Sequence, residues 1–349
     1  MAEFPPGLRR GGFLGGAGGG RPRSRIFRTV VVAVVAGGLV AGAFVVPIKA
    51  FLEIRPGPAP DVEKLIQIPE ARTYTSAGSL HLTTVTLFEA TLFDTLRGWV
   101  DPKTAIVPRE AIYPPGKSQR EVDRETATQM DDSQFEATVA ALRQLDYSLP
   151  EDGALVQQTE SGTPAAAVVV AGDVIVGIDG NAVTGVGQMK ALIGRHKVGE
   201  IVEVTVRRSD QTKTFTIKVA AARGDSKQPI IGVDVVQDFK LPFDVTIDAK
   251  GIGGPSAGFM FALGIVDLLT SEDITGGRAI AGTGTIDAEG NIGVVGGVTQ
   301  KVFGAEAAGA RYFLAPPAEA PEARRVAGSK MKVIAVATLS QAIVALHRL

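Results

Sequence analysis

The chain has no cysteine among its 349 residues, which excludes a disulfide framework, a thiolate nucleophile and a Cys-ligated zinc site. It is nearly as poor in histidine. His81, His196 and His347 stand far apart with no HExxH spacing, so a catalytic zinc is not expected. Charge of one sign is lacking too: 36 Lys and Arg face 37 Asp and Glu, for a formal net charge of −1. Without a basic field, no nucleic-acid partner is expected. A phosphate loop is also missing. Gly116-Lys117-Ser118 ends like a Walker A motif, yet Ala111 stands where its first glycine belongs and Pro114-Pro115 precede it. Neither a cofactor, a metal nor an ATP-driven motor is therefore expected. What is present is a globular composition, 45% hydrophobic and 21% charged, in a chain long enough for two folded domains and extras.

Residues 1–28 are rich in Gly, Pro and Arg without hydrophobic periodicity and read as a disordered cytoplasmic tail. Six arginines (Arg9, Arg10, Arg21, Arg23, Arg25, Arg28) precede an uncharged run from Thr29 to Ile48. At ~1.5 Å per residue such a run reaches about 30 Å, the thickness of a bilayer's hydrocarbon core. Only Lys49 and Arg55 follow closely, so the charge asymmetry predicts one transmembrane helix over 29–50 in a single-pass protein of the cell membrane. Its N-terminus would be cytoplasmic and everything after about Phe51 extracytoplasmic. A cleaved signal peptide is the competing reading. The length of the run favours a retained anchor, while the small residues Ala41-Gly42-Ala43 leave cleavage open. Gly38 and Gly42 form a GxxxG pair, a spacing that can join two helices and that so Gly- and Ala-rich a run also yields by chance.

Arg55-Pro56-Gly57-Pro58-Ala59-Pro60 reads as a stiff linker. The alternation in Leu80–Phe88 predicts a half-buried strand, Glu89–Trp99 a short helix, and Ile106–Ser118 a loop. Ser133-Gln134-Phe135-Glu136 has the form of a capping box opening a helix to about Leu145. From Ala154 the texture turns to short strands and turns, with a tight Asp179-Gly180 turn, a helix over Val186–Ile193 and paired strands at Glu200–Arg207 and Lys213–Val219. The stretches GTPAAAVVVAGDVIVGIDGNAV and GEIVEVTVRR resemble a bacterial PDZ domain, expected over 146–222. That resemblance implies an extended peptide adding as a strand beside a sheet and a helix. No GLGF-type carboxylate loop is obvious, and Tyr147-Ser148-Leu149-Pro150 is the candidate for its place. A spacer or an oligomer contact is the plainer alternative, since fold does not fix function.

The most telling residues lie further on. In Gly251-Ile252-Gly253-Gly254-Pro255-Ser256-Ala257-Gly258 a serine stands on a glycine-rich bend, ahead of an apolar run from Phe259 to Leu269 that predicts a buried helix. This lifts a hydroxyl to a helix N-terminus, where free N–H groups and the positive dipole end favour an oxyanion. With histidine scarce, the candidate base is Lys301, in a second, alanine-rich helix after Gly296-Gly297. A free lysine has a pKa of about 10.4 and is a poor base near neutrality. Burial can bring it to about 7–8, and Val298, Val302 and Phe303 offer an apolar setting. Taken singly, the bend is also a plain helix start with a capping serine, and the lysine a plain surface residue.

Together, the GPSAG block at Gly254–Gly258, Thr283-Gly284, Gly296-Gly297 and a lysine four residues after the second glycine resemble the proteolytic domain of Lon-type serine peptidases. The resemblance is to the membrane-anchored bacterial group with an inserted PDZ domain and no ATPase. It implies an α+β fold: a linker and first part of the protease domain over 51–145, the PDZ insertion, and a Lon-type proteolytic domain over 223–349, with the strand at Leu80–Phe88 completing it. It implies Ser256 as nucleophile, Lys301 as general base and Thr283 as the hydroxyl that holds the amine in line. The N–H groups of Ser256 and Ala257 would form the oxyanion hole, supported by Gly254 in the bend. The expected function is ATP-independent serine endopeptidase activity on extracytoplasmic proteins, with protein or peptide substrates and a homo-oligomeric ring as a further implication. A membrane-anchored PDZ adaptor with a silent protease-like scaffold is the alternative. Asp248 and Lys250 stand open between shaping the substrate cleft and ending a solvated strand.

Overall fold

The computed structural model describes residues 23–209 and 211–349. Most of the tail expected over 1–28 therefore lies outside the described residues, and its last six residues are helical rather than disordered. The first helix is Arg23–Val45, and a strand, Pro47–Pro56, follows at once. The helix expected over 29–50 is thus shifted toward the arginines. Pro47 lacks the N–H that a continuing helix would need, so Ile48 joins the strand. Among the described residues no helix is long and apolar enough to cross a membrane. Gly37, Gly38 and Gly42 dilute the apolar run.

The body that carries the serine and the lysine is built on a parallel sheet ordered Lys332–Ala335, Tyr312–Ala315, Ala279–Gly282, Ser79–Leu82. Leu80 pairs with Ile280 across most of the chain, so segments before and after the central unit close one sheet. Its partner helix, Gly258–Leu269, is apolar but for the buried Asp267 and is enclosed on every side over Gly258–Asp267, with Phe259, Phe261 and Leu263 fully buried beside Leu80 and Leu82.

The strand expected over Leu80–Phe88 breaks in two. Its second part, Val85–Thr91, pairs with Pro47–Pro56, which in turn pairs with Ala105–Pro108 inside the region expected to be loop. Two threonines explain the break: Thr83 donates to the Gly282 carbonyl at 3.0 Å and Thr84 to the Pro58 carbonyl at 2.7 Å. The short helix is Leu92–Arg97, shorter than expected and held by a Thr91–Asp94 capping box.

Between these parts runs a helix of 26 residues, Gln119–Gln144, starting fourteen positions before the predicted Ser133 box. The true cap is Ser118, which accepts from the Glu121 N–H while the Glu121 carboxylate accepts from the Ser118 N–H. Ser133 is buried mid-helix instead. A six-stranded sheet follows, with Gln211–Lys218, Ile201–Arg208, Val174–Ile178, Glu151–Thr159 and Val233–Phe239 in that order and Asn181–Ala182 paired on Val174–Ile178. Val156, Ile175, Ile178, Val202, Val204 and Val206 form its own core. The edge strand Val233–Phe239 pairs with Glu151–Thr159, so this sheet extends past residue 222.

Candidate active site

Gly254 has φ +80°, a backbone state that side chains resist, and its N–H donates to the Thr126 carbonyl at 3.2 Å. The chain then makes one 3₁₀ turn, Pro255–Ala257, before the Gly258–Leu269 helix. Ser256 is half-buried on that turn and Ala257 is buried at the helix entrance. Gly258 is required by close approach, because a Cβ there would collide with the Ser133 hydroxyl, which donates to the Pro255 carbonyl at 3.0 Å. The false cap of the sequence is therefore a strut that fixes the serine's turn from the long helix.

Lys301 sits one turn into the Val298–Ala307 helix and is 3% exposed. Its Nζ donates to Thr283 Oγ1 at 3.0 Å, and the Thr283 hydroxyl donates to the Ser256 carbonyl at 3.2 Å. The Gly284 N–H bonds the same carbonyl at 3.1 Å. Thr283 is fully buried, so serine turn and lysine amine meet through one threonine in a dry setting. Among the described residues the Ser256 hydroxyl has no hydrogen-bond partner of its own. Burial pushes the lysine down to about 8, against a smaller opposing pull from the Glu319 carboxylate.

Glu319 was not legible in the sequence. It accepts from the Val295 N–H at 2.6 Å through one oxygen, leaves the other buried without a partner, and is itself shifted upward by burial. Its position eighteen residues beyond Lys301, in no motif, gives no local signal. Asp248 and Lys250 pair with each other at 3.4 Å, and Lys250 is almost wholly exposed. They lie on the solvated side of the bend.

A second candidate site lies in the six-stranded unit. The unpaired side of Val233–Phe239 faces the Val186–Ile193 helix across a groove of about 930 Å³, lined by Met189, Ile193, Ile231 and Val235. At its end, the Ile231 carbonyl accepts from Ala165, and the Gly232 carbonyl from Glu160 and Thr163. The N–H groups of Ile231 and Gly232 have no partner among the described residues. Free neighbouring N–H groups at a groove's end are donors for a carboxylate. Such donors stand at Ile231–Gly232 and not at Tyr147–Pro150: Tyr147 packs edge-on against Phe243 at 5.5 Å, and the Pro150 carbonyl accepts from the Lys240 N–H. Lys117 and Glu125, which bracket the start of the long helix, reach the same groove.

Among known proteins, a family profile described as PDZ domain matches residues 131–219. The chain is 30% identical over 155 residues to a Lon protease from Roseiflexus castenholzii, a match covering 44% of this chain and 18% of that protein. To a Lon protease from Flavobacterium johnsoniae it is 27% identical over 102 residues, covering 29% and 12%. The chain thus spans less than a fifth of the length of these relatives. Among solved structures, the PDZ domain of an SdrC-like protein from Listeria monocytogenes is 32% identical, with 26% of this chain and 94% of that chain covered and a TM-score of 0.24. GtR34C from Geobacillus thermodenitrificans is 25% identical, covers 24% and 97%, and has a TM-score of 0.23. The chain contains a PDZ domain within a mixed α and β fold, and is related to proteases.

Proposed function

We propose that this chain is an ATP-independent serine endopeptidase in which Ser256 is the nucleophile and Lys301 the general base. The observation that carries the reading is a buried lysine, bonded to a buried threonine that is itself bonded to the serine's own turn. In the reaction the neutral amine takes the Ser256 proton as the hydroxyl oxygen attacks the scissile carbonyl. The resulting oxyanion is received by N–H groups at the start of the Gly258–Leu269 helix, Ser256 and Ala257 first among them. The protonated amine then gives its proton to the departing nitrogen, and the same base activates the water that frees the acyl group. Contact between the Ser256 hydroxyl and Nζ completes the pair, and Thr283 already holds the amine beside the serine's turn.

The PDZ domain is the protein- or peptide-binding part, taking an extended segment along Val233–Phe239 and its C-terminal carboxylate at Ile231 and Gly232. Extracytoplasmic placement belongs to the same proposal and is supported by the arginine-rich leader ahead of the uncharged run. A reporter fused after Leu349 that works only outside the cytoplasm tests it. Ring assembly is the remaining implication of the resemblance, and mass in detergent tests that.

Purified Ser256→Ala and Lys301→Ala are each expected to lose cleavage of casein while keeping the wild-type circular dichroism. Full activity in either variant overturns the assignment. An uncleaved substrate with wild-type protein, together with no labelling of Ser256 by a fluorophosphonate at any pH, points instead to a PDZ adaptor on a silent scaffold.

A further inference from the structure

The short Leu92–Arg97 helix and the turn after it are built inside out. Leu92, Phe93, Leu96, Trp99 and Val100 fall at the i, i+1, i+4, i+7 and i+8 positions of one helical face, which in a globular protein faces the core. Here that face points away: Leu96 is 56%, Trp99 83% and Val100 81% exposed. The polar face is the one turned inward. Arg97 bonds Glu53, a fully buried carboxylate, at 3.2 Å, and Asp94 bonds Arg55 at 3.4 Å, with Arg55 closing the cluster on Glu53. This buried charge network on the Pro47–Pro56 strand fixes the helix with its apolar side outward.

We propose that Leu92–Val100 is a membrane-docking surface that sits in the interfacial layer of a lipid bilayer. Three observations favour lipid over a protein partner. The patch is continuous with the Arg23–Val45 helix, because Phe93 stacks on Phe44 with ring centroids 4.3 Å apart. That helix is itself exposed at Val30, Val31, Val32, Val34 and Val35, which fan round more than half its circumference, whereas a docked copy covers one side. Charge is complementary as well: exposed Lys49 and Lys103 stand in the segments on either side of the patch, a sign attracted by anionic headgroups. A tryptophan at the rim suits the layer where one end of a ring is apolar and the other wet. The inference is independent of the proteolytic reading.

Trp99 is the sole tryptophan of the chain and reports on its own position. The full chain, reconstituted into phosphatidylglycerol–phosphatidylethanolamine vesicles, is expected to show blue-shifted emission that lipids brominated near the headgroup quench. Leu92→Ser combined with Leu96→Ser is expected to return the emission to that of exposed tryptophan and to cut the quenching severalfold. The variant should keep the wild-type circular dichroism and melting temperature, which shows that the fold is kept. Two results overturn the proposal. One is wild-type Trp99 that stays red and unquenched in vesicles. The other is a blue shift that needs no lipid and grows with protein concentration alongside a doubled mass, which assigns the patch to a second copy of the chain.

Discussion

The lysine's pH behaviour can be worked out in some detail. With Lys301 at about 8, roughly one-tenth of the molecules hold a neutral amine at pH 7, whereas an ordinary lysine at 10.5 holds about 0.03%. Burial therefore raises the working fraction of base by a factor on the order of 300, equivalent to about 3 kcal/mol. Activity with a peptide substrate should climb tenfold per pH unit below about 8 and level off above it. The informative perturbation is Glu319→Gln. The carboxylate's attraction opposes the effect of burial, so its removal lowers the lysine further and moves the inflection to lower pH. The assay is kcat/KM against pH for both proteins, with the rate of fluorophosphonate labelling as a second readout. A wild-type inflection near 10, or one that Glu319→Gln moves upward, refutes the reasoning.

The same shift sets a stability trend of definite sign. Between about 8 and 10.5 the unfolded lysine holds a proton that the native one lacks, so stability rises with pH across that window. Below about 8 the cost of the buried amine is fully present. Lys301→Met should therefore abolish activity yet raise the melting temperature at neutral pH.

Three further outcomes are expected. Thr283→Val keeps the shape but removes the hydroxyl that links Nζ to the Ser256 carbonyl; kcat should fall by about 10- to 100-fold with KM nearly unchanged. Gly258→Ala should cost about 1–3 kcal/mol in urea denaturation, and Ser133→Gly should recover part of that cost, a coupling that fails to appear if the collision is elsewhere. Glu63 is pushed up to about 8 by burial and then by the neighbouring Asp267 carboxylate. The native state thus holds an extra proton between about 4.5 and 8, stability falls as pH rises through that range, and Glu63→Gln should flatten the fall.

The turn at Ser256 and the helix at Lys301 could be read in advance because glycines and apolar runs dictate a turn and a helix there. Thr283 was named from the resemblance, and its hydroxyl does meet the lysine amine. The parts that failed share another cause: they depend on partners distant in sequence. Ser133 carries a perfect capping pattern, yet the helix had already begun at Ser118, and its hydroxyl is used 122 residues away on Pro255. The strand predicted over Leu80–Phe88 broke because Thr83 and Thr84 find carbonyls at Gly282 and Pro58. The sheet runs on beyond the 146–222 expected for the PDZ unit, and strand order is not written in periodicity: the edge strand Val233–Phe239 closes on Glu151–Thr159, about eighty residues back. Glu319 and the inverted face at Leu92–Val100 depend on what lies opposite, which no single segment states.

The long helix has a consequence for how the two sites relate. Near its start, Lys117 and Glu125 reach the groove; Thr126 binds the Gly254 N–H; two turns further on, Ser133 holds the Pro255 carbonyl. One rigid element thus touches the groove and both residues that precede the nucleophile. The turn at Ser256 is tied to its own helix through the Gly258 N–H, which donates to the Pro255 carbonyl, but it lacks a side-chain cap and begins at Gly254 in a φ that glycine alone adopts freely. Its position is held by Thr126 and Ser133 on one side and by Thr283 and Gly284 on the other. The long helix shares one core with the parallel-sheet body, where Met130, Ala137 and Ala140 pack with Leu80, Ile280 and Phe259. In the proposed dyad, the turn of the nucleophile is thus held from the helix by Thr126 and Ser133 while the base is held by Thr283, and among the described residues Thr283 alone hydrogen-bonds to both partners.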